Sequence, residues 1–80
     1  MTFSEAVKIR IETLCKEKEY NTFTLANKAG LNDSTVRSIL TGHTQCPKAE
    51  TLYYISLGFN MSLSEFFDAE VFDIENIEDN

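Results

Sequence analysis

The side chains best equipped for chemistry in this sequence are few: Cys15 and Cys46, the single histidine His43, and a polar stripe of Ser34, Arg37, Ser38 and Thr41. The two thiols are 31 positions apart, and with one histidine in the chain they match no zinc-binding spacing. A disulfide between them is the other option, one that proteins of the reducing cytosol seldom keep. The expected roles are a small buried hydrophobe for Cys15 and a loop residue for Cys46. His43, with no clustered Cys or Asp and no second His, is expected to be a solvated loop residue. No nucleophile is paired with a histidine, and no Gly-rich phosphate loop is present. A core of this size leaves no room for an enclosed pocket, so no enzyme, metal or cofactor is expected. The polar stripe differs in kind. Its residues recur at i, i+3, i+4 and i+7, on one face of a helix, and they are polar and mostly short. Asp33 precedes Arg37 by four positions in the order that favours an intrahelical ion pair, worth about 0.2–0.5 kcal/mol.

A face is useful only if other elements hold it in place, and the chain reads as five helices. Thr2 and Glu5 have the T-x-x-E form of a capping box. Val7, Ile11, Leu14 and Cys15 then give an apolar stripe for a first helix over about 3–19. Asn21 is a good N-cap for a short second helix carrying Leu25, Ala26 and Ala29, which Gly30 ends. Asn32 can cap a third, with Asp33 at the positive end of its dipole and Val36, Ile39 and Leu40 facing inward until Gly42. Pro47 suits the first position of a fourth helix, whose inner face is Leu52, Ile55 and Phe59. Asn60 fits a left-handed C-cap. Ser62 and Glu65 form a second capping box, opening a fifth helix with Leu63, Phe66 and Phe67. Tyr53 and Tyr54 are adjacent, so at most one faces the core, and the other suits the surface or a dimer contact. Phe23 is expected to pack against the first helix.

Length and charge narrow the possibilities. Eighty residues make one domain. No run is long and apolar enough for a membrane span. The opening MTFSEAVKIR has neither a basic nor an apolar signal region, so the cytoplasm is the expected compartment. The net charge of −6 is unevenly placed. Residues 1–67 carry seven acids and seven bases, whereas 68–80 carry six acids and no base. A nucleic-acid partner responds to the local field, so a neutral body with an acidic tail does not exclude one. The chain therefore divides into a domain over 1–67 and an acidic tail over 68–80.

Small and apolar residues at Leu25-Ala26, Gly30-Leu31, Val36 and Ile39 let two short helices cross closely and present the outer face of the second. The stretch LANKAGLNDSTVRSILTG, followed by PKAETLYYISLGFNMSLSEFF, resembles the phage-repressor and Cro-like (XRE) helix-turn-helix family. The likeness runs from about Val7 to Phe67. It implies an all-α, five-helix, lambda-repressor-like DNA-binding domain with its helix-turn-helix at the second and third helices. It also implies a transcriptional regulator, a repressor by expectation, that binds double-stranded DNA as a homodimer. Carried over residue by residue, the likeness places Asp33, Ser34, Arg37 and Ser38 nearest the base edges. It places Thr22, Thr35, His43, Thr44 and Lys48 near the phosphates. Arg37 is the residue for direct readout, since its fork can bond guanine O6 and N7 together. Helix N-terminal amides near Thr22 can hold phosphate without a basic side chain.

The chain departs from the family pattern at three places. Thr22 replaces a common Gln, and the usually basic loop after the third helix reads His43-Thr-Gln-Cys46. Both changes imply weaker, more salt-sensitive binding. Leu40 stands where a Glu often pairs with the Arg matched by Arg10, so Arg10 needs another partner or points to solvent. In the tail, Val71, Ile74 and Ile77 would share one helical face, while Phe72 and Ile74 alternating with acids would equally suit an extended segment. Such apolar content favours packing on the fourth or fifth helix or across a two-fold axis; folding over the DNA face is the alternative. The competing function is an antitoxin-like or other protein-interaction module on the same fold, with a protein partner reached through the tail.

Overall fold

The capping boxes fix where the first and last helices begin. Thr2 accepts a hydrogen bond from the Glu5 amide, and Glu5 Oε1 accepts one from the Thr2 amide at 2.9 Å. This opens α1 (Phe3–Lys18). Ser62 and Glu65 make the same reciprocal pair at the start of α5 (Leu63–Phe67). Between them lie α2 (Thr22–Ala29), α3 (Asp33–Thr41) and α4 (Ala49–Gly58). Two single 3-10 turns, Glu70–Phe72 and Ile74–Asn76, follow. This computed structural model describes residues 1–42 and 46–78; among them there is no strand, and no helix is long and apolar enough to cross a membrane. The radius of gyration, 11.8 Å, is close to the roughly 11.6 Å expected of a compact chain of this length.

Each junction follows from its local residue types. Asn21 Oδ1 accepts from the amide and the hydroxyl of Thr24, capping α2. Gly30 ends α2 at φ 72°, a left-handed conformation that costs a residue without Cβ nothing. Its successor Leu31 sends its amide back to the Ala26 carbonyl. Asn32 has the extended backbone of an N-cap but makes no side-chain cap; its carbonyl instead receives the Thr35 and Val36 amides. Pro47 does not open α4. Lys48 is extended and acts as N-cap, so the helix starts at Ala49, two residues beyond the expected position. Asn60, at φ 60°, takes the left-handed turn expected of it.

One core joins the five helices. Val7, Ile11 and Leu14 of α1, Leu25 and Ala26 of α2, and Val36 and Ile39 of α3 meet Leu52 and Ile55 of α4, with Phe59 and Phe66. Burying each such large side chain stabilises the fold by about 1.5–3 kcal/mol. Tyr20 stacks on Phe59 with ring centroids 5.9 Å apart. Cys15 is only partly buried, at the rim of this cluster. Phe23 is a correction: it is 68% exposed, because α2 turns Leu25, Ala26 and Ala29 inward and position 23 falls on the opposite side. Tyr53 and Tyr54 are both exposed, since α4 fills its inner face with Leu52, Ile55 and Ser56.

Arg10 finds its partner in the backbone. Its Nε donates to the Phe66 carbonyl at 2.7 Å and its Nη2 to the Glu65 carbonyl at 3.0 Å. Helix α1 thereby satisfies the open C-terminal end of the short α5, and the guanidinium also lies 5.9 Å from the Phe66 ring centroid. The tail is neither a continuous helix nor a strand. Phe72 closes an aromatic group with Phe67, Phe66 and Phe3, on α5 and α1. Ile74, in contrast, is 93% exposed.

Helix α2 has only eight residues and packs on α4, where Gly58 lies close against Ala29. A Cβ built there would lie 3.0 Å from Ala29 Cβ, 3.1 Å from its N and 3.2 Å from its Cα. Two of these atoms are backbone and have little freedom to yield. The expected cost of overpacking, about 1–3 kcal/mol, exceeds the propensity gain of at most about 1 kcal/mol. Gly58→Ala is therefore expected to lower stability by about 1–2 kcal/mol, seen as a fall of roughly 5–10 °C in Tm.

The capping boxes also set an acid limit. The Thr2 amide and hydroxyl hold the Glu5 carboxyl below its ordinary pKa, and Ser62 does the same for Glu65. A carboxylate favoured only in the folded chain stabilises it above the unfolded pKa. That contribution disappears as pH falls through the folded value, which lies below the ordinary carboxyl pKa. Replacing both residues by Gln, which can keep the capping geometry, is expected to flatten the fall of Tm between pH 5 and pH 3. Melts across that range check this.

Candidate nucleic-acid interface

Helix α3 sorts its residues by side. Val36 and Ile39 are buried in the core, while Ser34 and Arg37 are exposed and Thr35 and Ser38 lie at the boundary. The helix is held from behind by α2 and α1. Its other side carries a row of hydroxyls with one guanidinium, exposed at Ser34 and Arg37.

Ser34, Thr35 and Ser38 line one wall of an open groove of about 460 Å³, and Cys46, Pro47, Lys48, Glu50 and Thr51 line the other. Four of the residues anticipated from sequence, Ser34, Thr35, Ser38 and Lys48, thus border one depression. Cys46, Glu50 and Thr51 were not anticipated as part of it. Thr51 lies one helical turn beyond Lys48, a spacing that could have marked it. Lys48, at the edge of this groove, provides no side-chain cap, so the first amides of α4 have no side-chain acceptor among the described residues. Thr22 is not in the groove. It begins α2, where Asn21 occupies the Thr24 amide and leaves the Thr22 and Phe23 amides without an acceptor among the described residues. His43 and Thr44 lie outside the described residues.

The electrostatics are restrained. Arg37 Nη2 donates to Asp33 Oδ2, one helical turn back. An exposed intrahelical pair contributes only a few tenths of a kcal/mol to stability, so it orients Arg37 more than it stabilises the fold. Lys48 and Glu50 both border the groove, so its lining carries one charge of each sign. Hydrogen-bonding capacity, rather than a dense positive field, characterises the surface. Burial and the nearby Glu12 raise the Cys15 thiol above its ordinary pKa, which disfavours a nucleophilic thiolate there. Among the described residues no three His, Cys, Asp or Glu side chains are grouped to hold a metal ion. No protein-family model matches the chain, and comparison with curated proteins and with solved structures finds no significant match either.

Proposed function

We propose that the chain is a sequence-specific double-stranded DNA-binding regulator, of repressor type, acting as a homodimer. In this reading α2 and α3 form the helix-turn-helix and α3 lies in the major groove. Its main support is the outer face of α3, where Ser34, Arg37 and Ser38 project from a helix anchored by Val36 and Ile39. Arg37 reads guanine while held by Asp33, and Ser34 and Ser38 lie at neighbouring base edges. Thr22, Thr35 and Lys48 meet the phosphates. The Thr22 and Phe23 amides of α2 and the first amides of α4 supply donors where basic side chains are few. Two copies would present their third helices to half-sites about 34–36 Å apart.

One observation favours a second reading, a protein-interaction module of the antitoxin-like kind. Phe23, Tyr53, Tyr54 and Leu57 are all exposed, and such side chains are typical of protein interfaces. Titrating duplex binding against salt separates the two. A dimer that neutralises about five phosphates gives a slope of log K against log[salt] near −4.5. Arg37→Ala is expected to relax sequence preference, whereas Lys48→Ala weakens all duplexes alike. Failure to bind any duplex at low salt would favour the interaction module.

A further inference from the structure

Asp33 and Arg37 are joined on the outer face of α3, but they are unequally placed. The Arg37 side chain is 63% exposed and that of Asp33 28%. Asp33 Oδ2 accepts from Arg37 Nη2, while Oδ1 is buried and accepts no hydrogen bond among the described residues. The carboxylate thus has a single partner. The guanidinium has five N–H groups and commits only one side of its fork to Asp33.

We propose that Asp33 tethers Arg37 and acts as a specificity gate, making tight duplex binding conditional on a guanine opposite Arg37. This rests on the DNA-binding reading. A phosphate attracts the guanidinium by charge alone and draws it away from Asp33. That leaves a carboxylate with neither oxygen bonded, facing the negative DNA backbone. Guanine presents O6 and N7 side by side and takes two parallel N–H groups. The fork can meet them with donors that Asp33 does not use, so the ion pair survives. The pair is weak in water, but its attraction grows as DNA displaces solvent from the α3 face and the effective dielectric falls. The pair also biases Arg37 toward the tethered rotamer, so somewhat less side-chain freedom is lost on contact with the base. Asp33 is in this sense a positioning residue, acting through Arg37.

The test uses the full chain and four variants: Asp33→Ala, Asp33→Asn, Arg37→Ala, and Asp33→Ala combined with Arg37→Ala. Circular dichroism checks that each is folded. Selection from a duplex library with a randomised core defines the preferred site. Affinities are then measured for that duplex, for versions with each guanine replaced, and for a scrambled duplex across a salt series. The unaltered chain is expected to favour one guanine per half-site by about tenfold or more. Asp33→Ala is expected to reduce that preference to a few-fold and to tighten scrambled-duplex binding. It also steepens the salt slope by about 0.9 per protomer, as Arg37 moves to phosphate. Asp33→Asn shifts each quantity the same way by less. In the Arg37→Ala background, Asp33→Ala leaves base preference and salt slope unchanged. Full guanine preference in Asp33→Ala would overturn the gate. So would an equal gain in scrambled-duplex affinity in both backgrounds, which would mean simple repulsion. A chain that binds DNA yet fails this cycle refutes the gate alone; one that binds no duplex removes the DNA reading and the gate together.

Discussion

The contact between Gly58 and Ala29 sets the spacing on which the rest of the arrangement depends. Helix α2 is too short to persist alone, so its position is set by what it packs against. Without a side chain at position 58, the backbone of α4 comes close to Ala29 of α2, while Leu25, Ile55 and Phe59 join the common core. Helix α3 is then built onto α2 through the turn at Gly30. A bulkier residue at this one contact would move α2, and α3 with it.

From that support the outer face of α3 acquires a fixed direction but little charge. Its donors and acceptors are hydroxyls and an arginine tied to an aspartate, and the neighbouring start of α4 adds amides that its N-cap side chain leaves free. Such a surface has limited long-range attraction for a polyanion, since steering depends on the net local field. It is better suited to discriminating among partners at contact distance, where hydrogen-bond geometry decides. The acidic tail lies elsewhere in the fold, with Phe72 packed against α5 and the start of α1.

What the sequence made legible was mostly local. Thr2 with Glu5, Ser62 with Glu65, and Asn21 each satisfy backbone groups within three residues, and left-handed turns at Gly30 and Asn60 need no distant partner. The inward residues of α2, α3 and α4 follow from helical period. Non-local choices were hidden. The carbonyls that Arg10 meets lie more than fifty positions away, as do the rings that Phe72 closes with Phe3. Phe23 shows that hydrophobicity alone does not bury a side chain when the helix turns it outward. The polar stripe of α3 was readable as a stripe; its groove with Cys46, Lys48 and Thr51 needed the tertiary fold.

In the proposed DNA-binding role, a duplex would lie along α3 and the starts of α2 and α4. The most direct test is a titration of the isotope-labelled chain with short duplex DNA at low salt, following backbone amides by NMR. The largest shifts are then expected at Thr22–Phe23, Ser34–Ser38 and Lys48–Thr51. Shifts absent throughout, or confined to the exposed Tyr53, Tyr54 and Leu57 side of α4, would contradict it.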